Sequence, residues 1–165
     1  MTNATAMLNY MISEYDKLAG AHEYIWGFTQ NGVVYMAITD ASALPYVCKL
    51  DKASRGAGYA LRFKPTVAQK LFLMTSASFL CSEKFFNETV AHSKYNKGEI
   101  FEKMVTEKAG QVWTKNSVPF TECGDINVNG IEYQIKYQGA TFTNEKILNK
   151  LFTNEKILNK LMNRA

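Results

Sequence analysis

The chain has 165 residues, 47% hydrophobic and 21% charged, a composition that excludes disorder and a length that fits one domain or a core with an appended subdomain. Its formal charge of +4 permits a nucleic-acid partner without requiring one, and three widely spaced cysteines argue against a disulfide framework or a zinc site. No apolar run reaches the roughly 18 residues of a membrane span and no leader pattern opens the chain, so a cytoplasmic protein with no membrane partner is expected.

Met7, Leu8, Met11, Ile12, Tyr15 and Leu18 recur at helical spacing and predict an amphipathic helix over 3–19, packed on the core. Asn31-Gly32 then separates two alternating runs, 24–30 and 33–39, the pattern of a hairpin closed by a two-residue turn. Opposed pairing puts Tyr24, Trp26, Phe28, Val33 and Tyr35 on one face and Ile25, Val34, Met36 and Ile38 on the other. Two apolar faces require cover on both sides. An aromatic face also stacks bases in single-strand binders, but core packing accounts for this one more simply.

Residues 45–50 and 59–63 predict two further strands. Lys49, Lys52, Arg55, Arg62 and Lys64 make this the most basic segment, and Gly56 and Gly58 allow a phosphate backbone to approach closely. A solvated turn is the plain alternative; a nucleotide P-loop is excluded, because its Gly-x-x-x-x-Gly-Lys-Ser/Thr pattern is absent. Thr66 and Gln69, behind Pro65, have capping-box spacing and open a helix to about Met74. A second helix is expected from Ser82 to Ala91, burying Phe85, Phe86 and Val90. Asn96 and Glu99 repeat the capping box, and Ile100, Phe101, Met104 and Val105 carry that helix to Gly110, a natural C-cap. A short strand over 111–115 leads past Pro119 to a second hairpin.

Asn129-Gly130 is the turn of that hairpin, and it fixes the register: Val128 opposes Ile131, Asn127 opposes Glu132, Ile126 opposes Tyr133, and Asp125 opposes Gln134. One face then carries Ile126, Val128, Ile131, Tyr133 and Ile135 and is expected to be buried. The other carries Asp125, Asn127, Glu132, Gln134 and Lys136, so two carboxylates, two amides and an amine converge on one patch. A solvated hairpin face is the plain alternative here too.

An acidic residue entering one strand and Gln134-Ile135-Lys136 on the next resembles the PD-(D/E)xK nuclease superfamily, in the Gln-x-Lys form of Mrr-type enzymes. The resemblance implies an α+β protein with a restriction endonuclease-like αβββα core over 96–165 and an N-terminal α+β region, 1–95, of unassigned role. It implies a metal-dependent DNA endonuclease with Asp125, Gln134 and the Ile135 carbonyl as ligands of Mg2+ or Mn2+. Glu102, on the helix ahead of the first core strand, becomes an accessory acid and ligand, with Glu99 its substitute; Lys136 stabilises charge. These roles suit the chemistry, since phosphodiester hydrolysis needs a polarised phosphate and an activated water. Mg2+ takes oxygen ligands, only one or two of them protein carboxylates.

Two features depart from the family. It usually has a further strand after the last helix, a place the N-terminal strands are free to take, and it lacks the ten-residue duplication described below; the Gln134 amide also removes one negative charge from the ligand set. The alternative is therefore a nuclease-like fold without catalysis, a nucleic-acid-binding or protein-interaction module such as an inhibitor from a mobile element. Cleavage of both strands of a duplex implies a homodimer. Finally, 142–151 recurs unchanged as 152–161. Ten helical residues fall about 80° short of three turns, so the second apolar set is rotated from the first and a break near Thr153 is expected.

Overall fold

The computed structural model describes residues 3–19, 23–40, 44–52, 59–114 and 125–142. Arg55 with the glycine segment, Pro119, and the expected closing helix with its duplication lie outside the described residues.

The first helix, α1 (Asn3–Ala19), leads into the hairpin β1 (Glu23–Gln30) and β2 (Val33–Asp40). Asn31 and Gly32 take φ of 52° and 73°, the left-handed pair that a tight turn between twisted strands demands. Gln30 pairs with Val33 and Phe28 with Tyr35, as the sequence predicts. A single helical turn, α2 (Leu44–Val47), precedes β3 (Cys48–Lys52) and β4 (Tyr59–Phe63). The strand expected from residue 45 therefore begins three residues later; Pro45, with its fixed φ and missing N–H, sits in the first turn of α2, where both are tolerated.

Next come α3 (Val67–Leu73), β5 (Ala77–Ser82), α4 (Glu83–Ala91) and α5 (Lys97–Lys108). Thr66 with Gln69 and Asn96 with Glu99 form both expected capping boxes, and Ser82 caps α4. Phe86 is fully buried beneath α4, whereas Phe85, expected beside it, is 55% exposed because the neighbouring helical position turns outward. The last elements are β6 (Ile126–Val128), β7 (Ile131–Tyr137) and the short β8 (Thr141–Phe142). Residues 111–114 form no strand. They have another use, described below.

Two sheets result: five strands in the order β5-β2-β1-β7-β6, and three in the order β3-β4-β8. The larger sheet is mixed, because β1 runs parallel to β7 while its other pairings are antiparallel. Strands from both sides of residue 95 thus share one sheet, so the N-terminal region and the C-terminal hairpin are interleaved rather than set side by side.

At the centre of this sheet β1 is buried on both faces. Tyr24, Trp26 and Phe28 pack with Leu8, Met11 and Ile12 of α1 and with Leu61 and Phe63 of β4. Ile25 and Val34 pack on the opposite face with Phe86, Ile100, Phe101, Val105 and Ile135. Trp26 stacks on Phe63 at 4.1 Å between centroids and donates its indole N–H to Thr39 Oγ1 at 2.6 Å, so its polar edge is satisfied inside the core. Gly27 is the point of closest approach. A Cβ there would stand 2.5 Å from the Phe101 ring and 2.6 Å from Tyr137, so only glycine lets α5 settle on β1. Among the described residues no helix is long and apolar enough to cross a membrane.

Candidate active site at the entrance of the second hairpin

The second hairpin forms in the expected register, with Ile126 opposite Tyr133, Asn127 opposite Glu132 and Val128 opposite Ile131. Asn129 and Gly130 take φ of 52° and 84°, and the Asn127 side chain braces the turn by accepting the Gly130 N–H at 3.1 Å. Its amide also donates to Glu132 Oε1 at 2.8 Å, so Asn127 and Glu132 spend their polarity on each other. Of the apolar face, Ile126 and Ile135 are buried, but Ile131 is 39% exposed because it sits at the hairpin tip, beyond the packed cluster.

Asp125 precedes β6 and grips β7 twice. Its N–H donates to the Tyr133 carbonyl at 2.7 Å, and its Oδ2 accepts the Ile135 N–H at 2.8 Å. Backbone N–H groups of a strand point along the plane of the sheet, so this carboxylate sits beside β7 at the sheet edge and not out on the polar face. That polar face is not the solvated surface the alternation suggests. Gln134 lies beside Tyr24 and Lys136 beside Trp26 on the parallel neighbour β1, and both are half-buried.

Glu102 comes from α5, whose Ile100, Phe101 and Val105 pack on the other face of the sheet. It nevertheless lies within electrostatic reach of both Asp125 and Lys136. Burial, followed by the Asp125 charge, pushes the Glu102 carboxyl from an ordinary 4.5 up to about 7, against the Trp113 hydrogen bond and Lys136, which lower it. Asp125 is raised as well, although the residue keeps exposed surface: desolvation of its carboxyl outweighs the Ile135 N–H and the Lys136 charge. Lys136 is lowered by burial, with Asp125 and Glu102 acting in the opposite sense. Three groups are thus each held away from their ordinary titration range by the same small, poorly solvated neighbourhood. A cleft of about 650 Å³ opens beside Glu102 and Lys136, lined also by Asn96–Glu99 at the start of α5 and by the rest of residues 135–140.

Of the residues expected from the sequence, Glu102 and Lys136 line the same cleft, and Asp125, bonded to the Ile135 N–H, lies within electrostatic reach of both. Gln134, expected opposite Asp125, lies beyond the last pair of the hairpin, and its neighbour is Tyr24 of β1. Glu99, the substitute for Glu102, lines the same cleft, and its carboxylate also accepts the Asn96 N–H at 3.3 Å in the capping box. Trp113 went unnoticed in the sequence. It donates its indole N–H to Glu102 Oε1 at 3.4 Å.

Among the described residues, no three of His, Cys, Asp and Glu converge as a metal-binding group. The donor set still suits a hard cation such as Mg2+, because two repelling carboxylates and the Ile135 carbonyl supply only oxygen. Gln134 adds an amide oxygen on the same strand.

The basic segment is organised separately. On the outward face of the smaller sheet Lys49 pairs in register with Arg62, and Lys64 follows β4 as an exposed residue. Arg62 is partly neutralised by Asp51, Nε to Oδ2 at 3.6 Å. Lys52 closes β3 opposite Tyr59.

No protein-family model, curated protein or solved structure matches this chain.

Proposed function

We propose that this protein is a metal-dependent endonuclease that hydrolyses phosphodiester bonds in DNA, with its site at the entrance of the second hairpin. The observation that carries this reading is an open cleft lined by Glu102 and Lys136, beside the β7 backbone that Asp125 grips through the Ile135 N–H. The parallel pairing of β1 with β7 supports it as well, since the PD-(D/E)xK resemblance expects a further strand in the sheet beyond the hairpin.

Asp125 and Glu102 are the carboxylates that hold Mg2+ or Mn2+, completed by the Ile135 carbonyl and the Gln134 amide oxygen. When bound, the ion polarises the phosphate and lowers the pKa of a water. The protein's own groups do the rest. Glu102, the accessory acid of the site, takes up a proton from the attacking water and returns it to the leaving alcohol. Lys136 stabilises the negative charge that grows on the phosphoryl oxygens as phosphorus bonds the oxygen of the attacking water and its ester bond to the leaving alcohol breaks. Lys49, Arg62 and Lys64, with Lys52 and Arg55 of the same basic segment, bind the phosphate backbone. Cleavage of both strands of a duplex would require two copies of the chain.

Gln134 favours a second reading. An amide in the ligand set, half-buried beside Tyr24, weakens the charge available to a cation, as in a nuclease-like fold retained for binding nucleic acid or a protein partner. Calorimetric titration of Mg2+ or Mn2+ separates the two. On the catalytic reading the wild type binds the ion, Asp125→Ala loses binding, and Gln134→Glu tightens it. An inert wild type that gains cleavage through Gln134→Glu establishes the second reading. Equal metal affinity in all three removes the metal site altogether.

A further inference from the structure

We propose that Trp113 is a positioning residue for Glu102: its indole N–H, steadied by the Tyr95 ring, holds the Glu102 carboxylate toward Asp125 and Lys136. This rests on the metal-site reading above and assigns a role to the strap that follows α5.

The strap is aimed by the end of the helix. Gly110 takes φ of 78°; its N–H bonds the Glu107 carbonyl at 3.0 Å and the Gln111 N–H bonds the Thr106 carbonyl at 3.1 Å. That pair of bonds is a Schellman stop, which turns the chain away from the helix axis. The Gln111 side chain then donates to the Asn127 carbonyl of β6, tying the strap to the hairpin. Within the strap Val112 is 88% exposed while Trp113 is half-buried, so the strap turns one large side chain inward.

That indole is held on two sides. Its ring meets Tyr95 edge-on, 5.0 Å between centroids and 83° between planes, the favoured aromatic geometry. Tyr95 is itself fixed by its N–H to Ser93 Oγ at 3.1 Å, and Ser93 Oγ donates to the Val90 carbonyl at 3.2 Å. The other contact is the bond to Glu102 Oε1. At 3.4 Å it is long for a hydrogen bond, but its acceptor is a carboxylate.

Glu102 needs such a tether. A glutamate side chain has three rotatable bonds, so a fixed donor on one carboxylate oxygen narrows where the other can go. The Trp113 N–H occupies one oxygen and leaves the other for the site.

The test is binding of Mn2+ alone, followed by the electron paramagnetic resonance of the free ion, for wild type, Asp125→Ala, Trp113→Phe, Glu102→Ala and the Trp113→Phe/Glu102→Ala double variant. Trp113→Phe keeps an aromatic ring against Tyr95 and removes the N–H. It should weaken Mn2+ binding roughly tenfold, as loss of a partner that orients a metal ligand does. Its kcat on plasmid DNA should fall by about the same factor with KM little changed, since Trp113 does not touch substrate. In the Glu102→Ala background the same change should have no effect, because nothing remains for the indole to orient. Should Trp113→Phe fail to fold, benzothienylalanine at position 113 replaces only the N–H by sulfur and is expected to give the same result. Wild-type Mn2+ affinity in either N–H-less variant overturns the proposal, as does an equal loss with and without Glu102, which marks a merely structural tryptophan. If Asp125→Ala binds Mn2+ as well as wild type, the site reading itself fails and this inference falls with it; if Asp125→Ala loses binding and Trp113→Phe does not, only the inference fails.

Discussion

Glu102→Gln isolates the electrostatic cost of the site. The carboxyl has an ordinary value of 4.5 and is held near 7 in the fold, so between those values the native state keeps a proton that the unfolded chain has released. The stabilisation is complete below about pH 4.5 and is lost as pH rises to about 7. At about 1.4 kcal/mol per pH unit the full displacement would be worth about 3.5 kcal/mol, but the residue is half-buried and solvent screens it, so about 1–2 kcal/mol is expected. Glutamine keeps the shape and an oxygen for the Trp113 N–H while removing the charge. Urea unfolding of the two proteins from pH 4.5 to 8 should therefore give curves that converge at the acid end. At pH 8 the variant should be the more stable by that amount. Mg2+, where it binds, should restore the wild type at pH 8 and leave Glu102→Gln little changed. Parallel curves across the whole range would mean that Glu102 is neither desolvated nor close to Asp125.

Gly27→Ala should destabilise the protein by about 1–3 kcal/mol in denaturant unfolding, because its Cβ meets the Phe101 and Tyr137 rings where α5 crosses β1; unchanged stability would contradict the close approach. Lys49→Ala with Lys64→Ala should flatten the salt dependence of DNA affinity by about one unit of slope for each phosphate left without its cation. An unchanged slope leaves that sheet face as ordinary solvated surface. Gln134→Glu should preserve or raise Mg2+-dependent cleavage, and a loss of cleavage would place Gln134 outside the ligand set.

Much of this fold was legible because its signals are local. Asn31-Gly32 and Asn129-Gly130 demand positive φ and thereby fix two registers; Thr66–Gln69 and Asn96–Glu99 satisfy their own helix ends. The strand β5 was not legible. Ala77–Ser82 is a short apolar run between two helices, and only the free edge of β2 makes it a strand. The stretch 111–114 carried the opposite error, since its alternating side chains bind Asn127 and Glu102 instead of pairing as a strand.

The site divides in the same way. Asp125 and Lys136 follow from the hairpin pattern, and Glu102 from the resemblance. That Gln134 and Lys136 abut β1 depends on a parallel pairing between residues more than 100 apart, which nothing local announces. Trp113 left one faint signal: an aromatic residue three positions beyond a C-terminal helix glycine can fold back toward the helix it follows.

Cleavage of supercoiled plasmid and of single-stranded DNA in Mg2+ or Mn2+, by the wild type beside Lys136→Ala, tests the central claim most directly. The account predicts metal-dependent cleavage by the wild type, abolished by chelation and reduced at least about a hundredfold in Lys136→Ala, the scale expected when a charge-stabilising group is removed. Equal cleavage by the two proteins, or cleavage indifferent to chelation, would contradict it.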